Sequence, residues 1–339
     1  MKVAIVILNW NGAHFLKQFL PVLFEHTPLD NTAVYVADNG STDDSIQLLQ
    51  KEFPTVNLIL FDKNYGFAGG YNKALEQISA DYYMILNSDV EVSANWLKPM
   101  VDYLDHNPEV AACQPKILTY HQKNYFEHAG AAGGFIDYLG YPLCRGRILA
   151  QTEEDKGQYD DITDIFWATG ACLLIRAELF HAMGGFDADF FAHMEEIDLC
   201  WRLKSRGYRI VCVPQTKVWH VGGGTLQVEN PHKTYLNFRN NLLMLYKNLP
   251  AKKLQKVLLI RFFMDYLAAL QLLLTGKAKN AWVVIKARLD YRKMKTKMKD
   301  RRKENLKHAV QTDIPEILQK SIIFNYYILG KKSFSELKK

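Results

Sequence analysis

Short apolar runs recur along the first quarter of the chain, a helical pattern lies between successive runs, and most of them stop at a polar turn. Residues 3–8 end at Asn9-Trp10-Asn11-Gly12, residues 34–37 at Asp38, and residues 82–86 at Asn87-Ser88-Asp89. Continuous apolar runs of this length suit strands buried on both faces, and strand, helix, strand implies a parallel unit with a crossover. Phe15, Phe19, Leu20 and Leu23 mark the first intervening helix; the spacing predicts further helices near 45–53 and 70–78, with a strand at 56–61. The expected class is α/β, a Rossmann-like, mostly parallel sheet flanked by helices. In such sheets ligands gather outside the carboxyl ends of the strands, so the polar groups released there are the first candidates for a site.

Asp38 begins Asp38-Asn39-Gly40-Ser41-Thr42-Asp43, a carboxylate at a strand end followed by residues that also suit an ordinary turn and helix cap. Asn64-Tyr65-Gly66-Phe67-Ala68-Gly69-Gly70 leads into a helix, where backbone amides approach a phosphate, yet it matches no established phosphate-loop pattern. Asp89 is the first metal candidate: Mg²⁺ or Mn²⁺ is commonly held by one or two carboxylates plus substrate phosphates. His220 follows another apolar run and precedes Val221-Gly222-Gly223-Gly224, where an imidazole completes a metal shell or contacts phosphate and the glycines hinge a loop. On a helix, Glu195, Asp198, Leu199 and Arg202 share one face and Glu196 turns about 100° away, so the three acids cannot all enter one site. Asp198 and Arg202 also have the spacing of a plain ion pair. Trp167, Thr169 and Gly170 stand before another apolar strand, where the indole stacks on a sugar ring or packs as core.

Chain length and apolar content, 339 residues and 48%, allow a full core plus an appendage. Of 42 Lys+Arg and 36 Asp+Glu, 22 and 7 fall from Pro250 onward, so the body carries about −9 and the tail about +15. Five scattered cysteines with no Cys-x-x-Cys read as buried free thiols in a reducing cytosol. The apolar start at 3–8 is too short for a secretory signal and reads as a strand.

In order, these segments resemble a family 2 glycosyltransferase of the GT-A fold, and within it rhamnosyltransferase-like bacterial members. The resemblance rests on Asn9-Trp10-Asn11-Gly12, the segments 36–43 and 64–72, Leu86-Asn87-Ser88-Asp89, Gly170 to Arg176, Gly184-Gly185-Phe186-Asp187, Glu195 to Arg202 and His220-x-x-Gly223. It implies a nucleotide-sugar donor held by Asn9, Asn11, Asp38, Asn64, Gly66, Asn87 and Trp167, and a metal bridging the diphosphate on Asp89 with His220. It also implies an acceptor base at the second acid of the pair, Glu196, with Glu195 next and Asp198 third. Asn87 stands where the usual motif has an acid, which removes one negative charge from the metal position. The expected reaction is inverting transfer, with rhamnose from dTDP-rhamnose the leading donor and a lipid-linked saccharide the acceptor; a catalytically inactive nucleotide-sugar-binding module is the alternative.

The catalytic domain is expected over 1–230 and a helical, basic region over 231–339. Residues 257–274 are strongly apolar, but Arg261 and Asp265 interrupt them, and charges at a bilayer centre cost about 2.5–3.5 kcal/mol each on insertion scales. An interfacial or partner-packed helix follows. The Lys- and Arg-rich run 286–303 suits an anionic membrane surface, giving a cytoplasmic protein peripheral on that face. Nucleic acid is disfavoured, since no aromatic platform accompanies the charge and the body is acidic.

Overall fold

The computed structural model describes residues 1–222 and 230–338. The opening run is strand β1 (Val3–Asn9), followed by α1 (Ala13–His26), β2 (Thr32–Asp38), α2 (Ser45–Glu52), β3 (Asn57–Leu60), α3 (Gly66–Leu75) and β4 (Tyr82–Asn87). These strands pair in parallel in the order β3-β2-β1-β4, with Asn9 level with Asp38 and Leu8 level with Asn87. The pleat sends alternate residues to opposite faces. Val3, Ile5 and Ile7 pack with Leu16, Leu20 and Leu23 of α1, while Ala4 and Val6 belong to the core that holds Ala68, Tyr71 and Leu75 of α3.

Helix α3 starts at Gly66, four residues before the position its apolar spacing suggests. The added turn is held by two asparagines: Asn39 Oδ1 accepts from the Tyr65 amide at 2.9 Å, and Asn64 Oδ1 accepts from the Gly66 amide at 2.7 Å. They satisfy amides that would otherwise be orphaned at the helix start.

Beyond β4 the sheet becomes mixed. β5 (Val90–Val92), α4 (Lys98–His106) and β6 (Val110–Thr119) precede a small second sheet whose strands are β7 (Gly134–Asp137), β8 (Pro142–Cys144), β9 (Arg147–Ile148) and β10 (Gln151–Thr152). The main sheet then takes β11 (Thr163–Asp164) and β12 (Cys172–Arg176), and, after α5 (Ala177–Ala182) and α6 (Glu195–Ser205), β13 (Arg209–His220). β12 runs antiparallel between β4 and β6, and β13 runs parallel to β6 and antiparallel to β5.

The basic region folds as α7 (Pro231–Asn248), α8 (Ala251–Leu274), α9 (Ala278–Met294) and α10 (Lys299–Lys307), then β14 (Ile317–Leu318), α11 (Ile322–Tyr327) and α12 (Phe334–Lys338). Among its ties to the body, β14 pairs with β7 and α7 packs on α6. All five cysteines are buried free thiols.

Candidate active site at the strand ends

Strand register assembles the first cluster. Because Asn9 lies level with Asp38, its Nδ2 donates to Asp38 Oδ2 at 2.9 Å, while Asp38 Oδ1 accepts from the Ser41 amide at 2.8 Å. Asp38 is therefore buried and occupied with shaping its own loop. Asn11, exposed and left-handed at φ 54°, accepts from the Thr42 amide at 2.7 Å. Asn9 Oδ1 is buried with no donor, a free acceptor beside Gly12. The glycine at 12 is needed there, since a Cβ would stand 2.5 Å from that oxygen and 3.5 Å from Ser88 Oγ. The turns after β1 and β4 therefore meet.

A second cluster forms because β5 pairs with β13 so that His220 lies level with Val90, next to Asp89. His220 Nε2 is 3.1 Å from Asp89 Oδ1 and 3.3 Å from Asn87 Nδ2. Its other ring nitrogen, Nδ1, faces Glu127 Oε2 in a charge contact at 3.4 Å. Burial alone would lower the imidazole's pKa, but the two carboxylates outweigh it and raise it to about 10. Burial would likewise raise Asp89 and Glu127, and in both the imidazolium prevails and lowers the pKa. Glu127 had no motif to announce it; only the fold brings it to His220.

Among the described residues no three acid, imidazole or thiol groups form a closed metal cage. Asp89 and His220 do fit an open one. An oxygen and a nitrogen face each other at 3.1 Å, and a divalent cation held between them would leave its remaining shell to substrate phosphates. Glu127 would keep the opposite ring nitrogen protonated and so fix which nitrogen faces the cation.

The third cluster opens α6. Three non-glycine residues just before it, Phe191, His193 and Met194, have φ of 68°, 70° and 74°, a concentration of left-handed backbone that must be held by its surroundings. Asn240 of α7 holds it: Nδ2 lies 2.9, 2.8 and 2.8 Å from the carbonyls of Phe190, Ala192 and His193. Arg239 adds bonds to the carbonyls of Asp189 and Phe190. Gly66 lies against the same turn, where a Cβ would meet the Phe191 ring at 2.5 Å, and the Ala68 amide donates to Phe191 O at 3.1 Å. The glycine-rich segment thus touches the acid helix. Asn72 completes the link with paired bonds to the Phe186 backbone.

Glu195 is almost fully buried and Glu196 half-buried, and each has an Oε2 shut from solvent with no partner. Desolvation is the main cause in both: it raises Glu195 well above the usual range, reinforced by Glu196, and raises Glu196 to about 7. His193, whose buried Nε2 is also unpartnered, is lowered to about 4 by burial and by neighbouring Lys233 and His232. No motif or spacing in the sequence marks it.

Two candidate residues are corrected. Asp198 does not join the glutamates: fully buried, it binds Arg202 Nε at 3.0 Å, Lys247 Nζ at 2.8 Å and Asn248 Nδ2 at 2.8 Å. Burial would raise its pKa, but Lys247 and then Arg202 pull it down, so it is an anchor for α6 on α7. Trp167 is core rather than a sugar platform, since its Nε1 donates to Phe135 O at 3.0 Å and Gly134 lies flat beneath the indole. Of the glycine hinge after His220, Gly222 is described at φ 72°, and Gly223 and Gly224 lie outside the described residues. A slot of about 280 Å³ between the start of α8 and residues 309–319 is lined by Trp201 and Asn248, toward the far end of α6 from its acids.

Replacing Asn240 by Ala should expose the cost of holding the turn. Three carbonyls lose their shared donor, at about 1–3 kcal/mol for groups left unsatisfied. Chemical denaturation measures that loss, and nucleotide affinity should change far less than turnover.

The chain is similar to several known proteins. An O-antigen biosynthesis protein of Myxococcus xanthus is 28% identical over 225 residues, covering 65% of this chain but only 17% of its own length. N-acetylglucosaminyl-diphospho-decaprenol L-rhamnosyltransferase of Mycobacterium tuberculosis is 26% identical over 231 residues, covering 64% of this chain and 75% of its own. The fold matches the crystal structure of GalNAc-T7 with UDP, GalNAc and Mn²⁺ at a TM-score of 0.59 and 14% identity, over 79% of this chain and 50% of that one. The family model described as Glycosyl transferase family 2 matches residues 4–184, more than half of the chain, and the protein belongs to that family.

Proposed function

We propose that this glycosyltransferase moves one sugar, with inversion, from a nucleoside diphosphate donor to a saccharide acceptor carried on lipid, in the assembly of a cell-surface polysaccharide. The observation that carries the reading is the meeting of Asp89 and His220 at the ends of β4 and β13, one connection away from the Asn9–Asp38 pair. Asn9 Oδ1, Asn11 and the Asn64–Gly66 turn offer donor contacts around the nucleotide, and Asn87 offers a neutral oxygen or amide beside Asp89. Asp38 acts by fixing the loop that receives the nucleoside.

A divalent cation, Mg²⁺ or Mn²⁺, would be held by Asp89 and His220 and would supply charge neutralisation for the departing diphosphate. On the acceptor side, the half-buried Glu196 is the base. Its carboxylate takes the acceptor hydroxyl proton as that oxygen bonds to the anomeric carbon, and the bond from that carbon to the phosphate oxygen breaks with its electron pair leaving on the nucleotide. A base raised to about 7 is matched to that task near neutrality. Glu195, more deeply buried, keeps the site dry, and its own pKa is raised well above the usual range by burial and then by Glu196.

Rhamnose from dTDP-rhamnose is the preferred donor, supported by the Mycobacterium relative's name. The basic tail, about +15, supports a position at the cytoplasmic membrane face, where a lipid-linked acceptor would be met. Incubation of dTDP-rhamnose, UDP-GlcNAc and GDP-mannose with a lipid-linked saccharide, followed by mass and NMR analysis of the product, tests this. A rhamnosyl product of inverted configuration is expected; a retained configuration would reject the single-base mechanism.

Glu127→Gln tests the imidazole's support independently of turnover. Loss of such an outer partner typically costs about 10–100-fold in metal affinity. Nucleotide-dependent Mn²⁺ binding, read by electron paramagnetic resonance, should weaken by that order.

A further inference from the structure

Helix α8 has two faces of opposite character. Leu254, Val257, Arg261, Asp265 and Ala269 are buried along one side. The other side exposes Leu259, Phe263, Tyr266, Leu267, Leu270, Leu273 and Leu274, with exposures from 37% to 78%. At 100° per residue these seven fall within an arc of about 120°, opposite the buried stripe. Lys252 and Lys256, both exposed, lie on the same arc at the helix start.

The chain turns at Gly276 and returns as α9, packed against α8, with Trp282 61% exposed near the tip and Lys279 one turn from it. An aromatic with an amphipathic ring, lysines on flexible stems and a leucine-rich stripe are the parts of a helix that lies in a membrane interface.

At 24 residues α8 is also long and apolar enough to cross a bilayer by composition. Its buried side excludes crossing alone. Arg261 donates to Leu139 O at 3.0 Å and to Asn241, pairs with Asp265 at 3.2 Å, and Asp265 also binds Arg288 of α9. A spanning helix would have to strip these charges from their partners and present them to hydrocarbon.

We propose that the outer face of the α8–α9 hairpin docks on an anionic lipid bilayer, with the Leu259–Leu274 stripe in the headgroup and acyl boundary and Lys252, Lys256 and Lys279 over lipid phosphates. Charge selects this occupant: the tail carries about +15, whereas a second copy would bring like charge to the same surface. The assignment rests on the reading of a transferase working at a membrane and names the surface that meets it.

Flotation of the full chain with phosphatidylcholine vesicles, with and without phosphatidylglycerol, tests it. The native chain is expected to float with the anionic vesicles and to be released by salt. Phe263→Ser/Leu267→Ser/Leu270→Ser, all at exposed positions, should lower partitioning about tenfold or more. Lys252→Gln/Lys256→Gln/Lys279→Gln should remove the preference for anionic lipid and spare residual binding. Nucleotide affinity should be unchanged in both. A native chain that never floats, a serine variant that floats as well as native, or a stable dimer that the serine variant dissociates would each overturn the proposal. Intact nucleotide binding in those cases would leave the transferase reading standing.

Discussion

Glu196→Gln should lower turnover by about 10²–10⁴-fold, the usual contribution of a positioned general base, while nucleotide binding persists. Gln is nearly isosteric, so the half-buried site keeps its shape and loses only proton affinity. The native enzyme should lose activity as pH falls through about 7, because protonated Glu196 cannot accept the acceptor's proton. Stability should move the other way. A carboxyl whose folded pKa is raised by burial favours the fold when protonated, and that contribution is lost as pH rises from the ordinary carboxyl range through about 7. The Gln variant should therefore gain melting temperature relative to native at pH 8 and little at pH 5. Rate profiles and calorimetric melting across that range check both signs. Unchanged turnover in the variant would remove Glu196 from the chemistry.

Lys247→Met should cost about 3–5 kcal/mol, the range for breaking a buried ion pair from one side. Lys247 is 2% exposed and its ammonium lies 2.5 Å from Asp187 Oδ2 and 2.8 Å from Asp198 Oδ2. Removing it takes the ammonium that bridges the two buried carboxylates, leaving Asp198 with Arg202 and Asp187 with Arg301. The loss falls where α6 meets α7, so the acid turn should loosen with it. Denaturant unfolding measures the loss, and adding Asp198→Asn to the variant should return part of it. A midpoint unchanged by Lys247→Met would mean that the pair is dispensable.

The strand ends were legible because buried strands announce themselves as apolar runs and must release polar residues where they stop. Asn9, Asp38 and Asn87 close their strands and register sets them along one sheet edge, with Asp89 two residues further on. His220 needed more, since its place beside Asp89 depends on the antiparallel pairing of β5 with β13. Glu127 was invisible for the same reason: it lies far from His220 in the chain and in no pattern of its own.

Asp198 shows the opposite failure. An acid beside two glutamates invites a shared role, but helical rotation turns it toward Lys247 and Arg202, cations whose partners no spacing rule reveals. The left-handed backbone at Phe191, His193 and Met194 was hidden because none is glycine. Asn240 carries no spacing signal of its own, since its three carbonyl contacts exist only in the fold. For α8, hydropathy averages over all sides and cannot separate an exposed apolar stripe from a buried charged one.

Calorimetric titration with dTDP, UDP and GDP, each with Mg²⁺ or Mn²⁺ and again with EDTA, tests most directly whether Asp89 and His220 form a donor site. Binding of one nucleotide that requires the cation and is lost in Asp89→Asn is the predicted result, with dTDP selecting the rhamnosyl donor. Binding of none, or binding indifferent to both EDTA and Asp89→Asn, would contradict it.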